Sequence, residues 1–416
     1  MKQRNILIAG AGSAGTMMAN HLKRKLNHHE WKITIVDEAT THYYQPGFLF
    51  LPFGIYDEHE IQKPITKYIP DDVDFINTAI DKIEPERNVL TLINGAELPY
   101  DILIIASGCS IAPEETPGMK DKLWYKDIFD FYSFDGAKAL HDKLKNWEGG
   151  RLAIHITEMP IKCPVAPLEF AFLADDFFKH KGMRDEVEIT YITPLSGAFT
   201  KPFAAKKLAH LIEEKGIKLV TDFNVERIDN DEHKIIDYGG QEVKFDLLVT
   251  VPLNKGAAFI GKSGFGDDLN YVPTDKFTLQ TTVKENIFAI GDATSLPASK
   301  AGSVAHFESE ILTENILHYI KGEELKAHFD GHANCFVETG NHKALLIDFN
   351  YDQEPVEGTF PFAGVGPMSL MEETMLNHMG KLGFKWIYWN VLMHGRAIPF
   401  IHPQMDKSGK KIPVNQ

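Results

Sequence analysis

Three cysteines are the side chains of this 416-residue sequence best suited to redox or nucleophilic chemistry, namely Cys109, Cys163 and Cys335. Three are too few for a disulfide-rich scaffold, and their spacing excludes the CxxC pairs of zinc and thioredoxin-like sites. Cys163 lies just before a helix predicted over residues 166–178, so the helix dipole is expected to lower the pKa of its thiol. The alternative is a small buried apolar residue, the usual role of an isolated cysteine.

The other two cysteines lie beside different predicted elements. Cys335 starts a predicted hairpin that returns through residues 344–349. Cys109 follows the turn Ala106-Ser107-Gly108, where it is either a thiol that shuttles sulfur or a small residue required by a tight turn. The 18 histidines form no ligand-spaced set with cysteines or carboxylates, so no metal site is predicted.

A glycine-rich turn near the N-terminus predicts a dinucleotide site. A buried strand over residues 5–9 is followed by residues 10–15, which read GAGSAG, then by a helix to about residue 26 and a second strand that ends in Asp37. Such a turn needs glycines for tight folding, for approach of the pyrophosphate and for helix packing, and an acid for the ribose hydroxyls. The cofactor-binding residues predicted here are Gly10, Gly12, Ala14, Gly15 and Asp37.

Two further apolar strands end in small or acidic residues, one in Ser107-Gly108 and one in Gly291-Asp292. With the glycine-rich turn, these segments resemble the signatures of the FAD-dependent pyridine nucleotide-disulfide reductase superfamily. The resemblance implies an α/β fold with two Rossmann-like doubly wound domains, bound FAD, and a hydrogen bond between Asp292 and the ribityl chain of the flavin. The alternative for Asp292 is an N-cap of the helix predicted over residues 299–319.

The middle of the chain lacks the pattern of a second nucleotide site. The predicted strand over residues 151–156 leads into residues 157–167 without a glycine-rich turn, and Pro160, Pro164 and Pro167 remove backbone donors that a pyrophosphate would need. The next strand is followed by Pro194 in place of an acid. A nicotinamide cofactor is therefore not expected.

Nearly the whole chain resembles the sulfide:quinone oxidoreductases. The segments that carry the resemblance are GAGSAG, residues 42–46 (HYYQP), 162–167 (KCPVAP), 291–300 (GDATSLPASK), Cys335 with residues 337–340 (VETG), 359–362 (TFPF) and 388–390 (YWN). It implies that Cys163 faces the flavin and that Cys335 receives sulfur from sulfide, the two forming a redox-active disulfide or sulfur bridge. It also implies a base at Glu169, a cation near the reduced flavin at Lys300, and a cofactor contact at Gln45. The alternatives are an ordinary helix carboxylate for Glu169 and an exposed lysine for Lys300.

The C-terminal region predicts docking to a membrane. Residues 369–379 and 381–393 form amphipathic segments rich in aromatic, Met and Lys side chains, and basic residues outnumber acidic ones six to one from residue 379 to 416. We expect a peripheral, monotopic protein at the cytoplasmic face, because the N-terminus lacks a signal-peptide pattern. A membrane quinone is the expected electron acceptor, with Phe336, Phe362 and Trp389 as candidate walls of its site. The alternative is a dimerisation or core helix pair.

Length and charge add limits to this interpretation. The length of the chain and the positions of its motifs predict three parts. These are an FAD domain formed by residues 1–112 and 280–330, a second Rossmann-like domain at 113–279, and a C-terminal region at 331–416. The formal net charge of −15 argues against a nucleic-acid partner, and a homo-oligomer remains open. The competing functions are a flavocytochrome c sulfide dehydrogenase-like flavin subunit, a type II NADH:quinone oxidoreductase, and a flavin-dependent sulfur sensor without turnover.

Overall fold

The glycine-rich turn follows the central strand of a parallel five-stranded sheet, here called the first sheet. Its order is Ile287–Ala289, Ile102–Ile105, Arg4–Ala9, Trp31–Asp37 and Asp74–Asn77. The computed structural model describes residues 3–412, so the first two and last four residues of the predicted domains lie outside the described part. The strands are continuous apolar runs because both faces of a parallel sheet are covered. Distant parts of the chain therefore build one sheet.

A second parallel sheet occupies the middle of the chain. Its order is Ile128–Phe129, Leu247–Val251, Gly150–Ile156, Val187–Ile192 and Lys218–Val220. The two sheets confirm the predicted α/β fold with two Rossmann-like units. The chain passes from the first sheet towards the second through the strand Cys109–Ile111 and returns through Asn254–Gly256. These two strands pair antiparallel. Three smaller antiparallel sets are Thr41–Tyr43 with Gln62–Pro64, then Ile80–Glu84, Val89–Leu92 and Glu97–Pro99, and finally Val225–Asp229, Lys234–Asp237 and Glu242–Lys244.

Between residues 3 and 412, seven α-helices pack against the sheets of the protein, and each buries apolar residues. They are α1 (Ser13–Lys25), α2 (Phe134–Asn146), α3 (Ala166–His180), α4 (Pro202–Glu214), α5 (Ala258–Lys262), α6 (Gly302–Lys321) and α7 (Met375–Asn390). Residues of α5 pack with the first sheet, since Ile260 belongs to the same buried cluster as Leu103 and Ile105. The predicted domain limits stay a prediction.

The C-terminal region forms a third sheet, with the order Ala333–Gly340, Lys343–Phe349, Gly366–Leu370 and Gly358–Phe362, against which α7 packs. The sequence predicted an amphipathic helical segment over residues 369–379, and this prediction is wrong for the first half of the segment. Residues 369 and 370 pair with the strand Gly358–Phe362, and the helix begins only at Met375. Thr374 sets this start, because its side chain accepts a hydrogen bond from the backbone N–H of Asn377.

Much of the basic charge predicted for lipid contact pairs with the protein itself. Lys410 makes a buried ion pair with Asp348, its Nζ lying 2.7 Å from Oδ2. Three more basic residues pair with carboxylates of the body, namely Lys381 with Glu169, Lys385 with Glu60 and Lys411 with Glu357. Among residues 3–412, no helix combines the length and apolar character that crossing a bilayer requires.

Candidate functional site

A large cavity opens at the carboxyl ends of the first-sheet strands and extends to α3, the third sheet and α7. Its volume of about 390 Å³ lies within the range of roughly 300–1,000 Å³ for a typical small-molecule site. This is the edge at which parallel α/β sheets bind ligands. Most of the predicted site residues line it: Gly12, Ala14, Asp37, Gln45, Ser107, Gly108, Cys109, Cys163, Glu169, Gly291, Asp292, Lys300, Cys335 and Phe336.

The glycine turn, residues 10–15, has the shape of a phosphate cradle. A Cβ on Gly10 would lie 2.5 Å from the Ala106 carbonyl oxygen, and one on Gly15 would lie 1.8 Å from the Gly10 carbonyl oxygen. A Cβ on Gly12 would meet no atom within 4 Å and would instead fill the cradle. The N-terminus of α1 follows directly, so its N–H groups and dipole face the same space.

Asp37 and Ser107 complete the part of the cavity that fits a dinucleotide. The Asp37 carboxylate accepts hydrogen bonds from the N–H groups of Ala11, at 2.6 Å, and Ala39, at 2.8 Å, which holds it beside the glycine turn. Within the described residues, the buried Ser107 hydroxyl has no hydrogen-bond partner. An unsatisfied buried hydroxyl is costly, so a polar ligand group in the cavity would stabilise it.

Asp292 does not cap a helix. It lies in a single turn, Gly291–Ala293, while α6 begins at Gly302 and has Ala301 as its N-cap. The N-cap interpretation is therefore wrong. The sequence did not indicate Glu308, whose buried carboxylate accepts a hydrogen bond from the Gly291 N–H at 2.5 Å and supports the turn. Burial raises the pKa of Glu308 to about 8.

Lys300 is buried, so the alternative of an exposed lysine is wrong. Its ammonium donates to the carbonyl oxygens of Asp292, at 3.1 Å, and Thr294, at 2.7 Å. Its own carbonyl oxygen accepts a hydrogen bond from the Cys163 N–H at 2.6 Å. One residue therefore joins the Gly-Asp turn to the segment that carries the cysteine.

Cys163 lies on residues 157–165, the proline turn, which follows the strand Gly150–Ile156. Tyr132 donates its hydroxyl proton to the Cys163 carbonyl oxygen at 3.1 Å. The expected lowering of the thiol pKa by the helix dipole is wrong. Burial, assisted by the nearby Glu169 carboxylate, raises the pKa of Cys163 to about 12. The N–H of Ala166, where the helix begins, lowers the pKa by hydrogen bonding, but this effect is smaller than the loss of hydration.

Cys335 reaches the same cavity from the strand Ala333–Gly340. Burial raises the pKa of its thiol, and the proximity of Cys163 raises it further. Two thiols from segments 172 residues apart in the sequence therefore lie within electrostatic range of each other. All three cysteines lie within the described residues and are free thiols.

Glu169 is a fully buried carboxylate, 0% exposed, and not an ordinary surface residue of its helix. Its Oε1 accepts hydrogen bonds from the Lys381 ammonium, at 2.7 Å, and from the Glu338 N–H, at 2.8 Å. Its Oε2 is buried with no partner among the described residues. The sequence did not indicate Lys381 as a site residue. A lysine between the apolar residues of an amphipathic helix was the signal that could have indicated it.

Cys109 lies in the cavity too, on the short strand that pairs with Asn254–Gly256. Its Sγ is 3.9 Å from the Asn254 Oδ1. Burial raises the pKa of the thiol to about 12, and the Asp292 carboxylate makes the second largest contribution to the rise. This position is compatible with both of the roles predicted for Cys109.

The three residues predicted to line the quinone site do not lie together in the structure. Phe336 lines the cavity, whereas Phe362 is half exposed and packs on Phe400, with ring centroids 5.2 Å apart. Trp389 is buried outside the cavity and stacks on Tyr68 at 5.3 Å. The preceding residue, Tyr388, lines the cavity instead, because one step along a helix turns a side chain by about 100°.

Tyr388 links α7 to the glycine turn. Its hydroxyl lies 2.5 Å from the Ser13 Oγ and 2.6 Å from the His42 Nε2. Burial lowers the pKa of His42 to about 4, so this imidazole is neutral at pH 7. The sequence had not indicated this network, which joins residues more than 340 positions apart.

Comparison with known proteins agrees with this geometry. Residues 4–309 match the pyridine nucleotide-disulphide oxidoreductase family model. A mitochondrial sulfide:quinone oxidoreductase of Dictyostelium discoideum is 26% identical over 396 residues, which are 94% of this chain and 86% of that protein. A type II NADH:quinone oxidoreductase of Haemophilus influenzae is 24% identical, covering 91% of this chain and 96% of the relative.

A solved structure shows the same fold over nearly the whole chain. The sulfide:quinone oxidoreductase of Aquifex aeolicus superposes with a TM-score of 0.80 at 19% sequence identity, covering 94% of this chain and 92% of that one. The fold, the dinucleotide cradle and the extent of the family match lead to one assignment. The chain belongs to the pyridine nucleotide-disulphide oxidoreductase family and is an FAD-dependent oxidoreductase.

Proposed function

We propose that this protein oxidises sulfide on the Cys163–Cys335 pair and passes two electrons, through bound FAD, to a membrane quinone. The observation that carries the proposal is that both thiols open into the cavity that contains the dinucleotide cradle. The similarity to sulfide:quinone oxidoreductases over 94% of the chain supports it.

In this proposal the cysteine pair takes one sulfur atom from hydrosulfide and releases two electrons. Hydrosulfide attacks the Cys335 sulfur of the oxidised pair, an S–S bond forms to the incoming sulfur, and Cys163 leaves as a thiolate. Oxidation of this persulfide and thiolate to a trisulfide releases two electrons and one proton. Bound FAD supplies the acceptor for the two electrons. A second sulfide or thiolate then takes the central sulfur and restores the disulfide.

Glu169 and Lys381 serve this chemistry from beside the cysteines. The unpartnered Oε2 of Glu169 is available to accept the proton of the persulfide, while Oε1 stays bound to the Lys381 ammonium. The ammonium stabilises negative charge in a region that burial makes unfavourable for anions. The raised pKa of each thiol makes such a proton acceptor necessary near neutral pH.

Helix α7 provides the route from lipid to cavity. Lys381, Phe384 and Tyr388 lie on its inner face and line the cavity. Met375, Met379 and Trp386 lie on the opposite face, where Trp386 is 64% exposed. We assign this outer face, together with the exposed Val365, Phe362 and Phe400, to the interface of a bilayer, from which quinone reaches the Phe336 end of the cavity. Apolar contact carries this docking, because most of the nearby basic residues are paired.

A type II NADH:quinone oxidoreductase is the second candidate, favoured by the relative that covers 91% of this chain. That activity would leave Cys163 and Cys335 without a role. In this chain the proline turn enters the cavity and pairs with Lys300, and it carries a thiol in place of a glycine cradle. We therefore favour sulfide as the electron donor.

The experiment uses the purified full-length flavoprotein under anaerobic conditions. We expect sulfide, and not NADH, to bleach the flavin absorbance, and a soluble quinone analogue to restore it. Bleaching by NADH alone would overturn the proposal. Bleaching by sulfide without reoxidation by quinone would favour a haem-linked subunit or a sensor. Cys335→Ser should abolish the reduction by sulfide, and the same measurement on Cys109→Ser decides between the two roles predicted for Cys109.

A further inference from the structure

A second buried carboxylate lies behind Glu169, on the side away from the cavity. The Glu338 N–H donates to the Glu169 Oε1 at 2.8 Å, so the backbone of Glu338, and not its carboxylate, contacts Glu169. The side chain of Glu338 is 1% exposed. Its carboxylate oxygens lie 2.9 and 3.0 Å from the His378 Nδ1. No step proposed above uses either residue.

His378 connects this buried group with the surface. Its side chain is 13% exposed, and its ring lies 5.5 Å from that of His342, an exposed residue in the turn of the hairpin. Lys381 relates the two carboxylates, because its ammonium binds the Glu169 Oε1 at 2.7 Å and is also close enough to act electrostatically on the Glu338 carboxylate. Glu169, Lys381, Glu338 and His378 therefore form one cluster that extends from the cavity towards the surface. The helix α7 contributes Lys381 and His378, which lie three residues apart on one face.

The surroundings of Glu338 favour an exchangeable proton. The ionisable groups that face it are Glu169 and Asp176 from α3, Lys381 and His378 from α7, and Tyr56 from the loop beside α7. Burial raises the pKa of Glu338 to about 8, and the Lys381 ammonium limits the rise. Glu338 is therefore protonated at pH 7 and close to releasing its proton. Burial lowers the pKa of its hydrogen-bonded imidazole partner, His378.

We infer that Glu338 and His378 form a proton path that joins the Glu169–Lys381 pair in the cavity to solvent. The inference deepens the proposed function and rests on it. Hydrosulfide brings one of the two protons that quinol formation requires, and the second must come from solvent. A proton that enters at His378 passes to Glu338 and then to the Glu169–Lys381 pair, while each group returns to its starting state. Glu338 and His378 act through other residues and are positioning residues, not catalytic ones.

The test separates the two half-reactions in the full-length flavoprotein. Reduction by hydrosulfide takes up no proton from solvent, so Glu338→Gln and His378→Gln should leave its rate unchanged. Reoxidation by a soluble quinone should slow by at least about tenfold. In the unsubstituted protein this rate should fall as pH rises through about 8, because Glu338 then loses its proton. Glu338→Gln should remove that dependence.

Chemical rescue distinguishes a proton path from a structural role. Added imidazole should restore quinone reoxidation in His378→Ala and should have no effect in Glu338→Gln. The matched control is His342→Asn, which changes a neighbouring exposed histidine and should leave both half-reactions unchanged. Asparagine tolerates the positive φ of this position. Failure of imidazole to rescue, or normal reoxidation in Glu338→Gln across the pH range, overturns the inference.

The outcome for the proposed function stays separate. Photoreduction prepares the reduced protein without sulfide, so quinone reoxidation can be measured even when sulfide fails as a donor. Sulfide failing to bleach the unsubstituted protein would contradict the proposed function. Normal reoxidation of photoreduced Glu338→Gln would contradict only the proton path.

Discussion

Each of the two parallel sheets has a turn at the corresponding place, between a central strand and the helix that follows it. The two turns differ in what they present to the cavity. In the first sheet, the glycine turn exposes backbone N–H groups and leaves space that a Cβ would fill. In the second sheet, the corresponding proline turn lacks that cradle and brings Cys163 into the cavity of the first sheet. One framework therefore yields a cofactor cradle at one turn and a reactive side chain at the other, according to whether the turn exposes backbone or side chain.

Removal of the thiol from the proline turn is the strongest test of this comparison. Cys163→Ser should lower the rate of sulfide-driven flavin reduction roughly a thousandfold, because no leaving group remains for the sulfur transfer. Stopped-flow absorbance measures the rate, and the flavin content of the purified protein should be unchanged. A Cys163→Ser variant that sulfide reduces normally would show that the proline turn has no chemical role.

The ion pair beside the proline turn gives the next largest effect. Lys381→Met leaves the buried Glu169 carboxylate without its cation and should cost about 3–5 kcal/mol of stability. Urea unfolding of the flavoprotein measures the loss. Lys385→Met is the matched control on the same helix, because its pair with Glu60 is more exposed and should contribute less than about 1 kcal/mol. Equal losses in the two variants would contradict the difference in burial.

Two alanine substitutions dissect the glycine turn itself. Gly15→Ala should destabilise the protein by about 1–3 kcal/mol, because its Cβ would overlap the Gly10 carbonyl oxygen. Gly12→Ala should leave the apoprotein as stable as before and weaken FAD binding, because its Cβ enters only the cradle. Thermal unfolding of the apoproteins and flavin fluorescence titration measure the two effects. Tight FAD binding by Gly12→Ala would contradict the assignment of the glycine turn as the phosphate cradle.

The smallest predicted effect concerns the support of the glycine turn by α7. Tyr388→Phe removes the hydroxyl that contacts Ser13 and His42, and should weaken FAD binding by about 1 kcal/mol, close to fivefold. Titration of the apoprotein with FAD measures it. The control is Tyr56→Phe, whose hydroxyl makes one long contact, 3.4 Å from the Leu382 carbonyl oxygen. Unchanged affinity in Tyr388→Phe would limit α7 to the sulfide and quinone end of the cavity.

The sequence predicted the elements that depend on neighbouring residues. The strand Arg4–Ala9, the glycine turn and helix α1 were expected at nearly the observed limits, because apolar periodicity and turn glycines are local properties. The start of α3 at Ala166 was also expected. The start of α7 was not, because pairing of residues 369 and 370 with another strand outweighed their helical pattern.

The candidate site was predicted only where a motif carried it. The cavity includes Cys163, Cys335 and Asp292, all of which were named from motifs. Lys381 belongs to no such motif, and Glu338 lies in the segment VETG without a predicted role; both were recognised only as partners of Glu169. Trp389 was chosen over Tyr388 because the sequence does not give the rotation of a helix about its axis to the precision of one residue.

The sequence by itself determined that the chain has a dinucleotide-binding α/β framework and three thiols for chemistry, because glycine spacing and residue type are sequence properties. Only the tertiary structure decided the state of those groups. Burial, and not the helix dipole, controls the pKa of Cys163, and internal pairing takes up most of the basic charge of the C-terminal region. Both effects depend on the distance to groups far away in sequence and on exclusion of water, which local patterns do not encode.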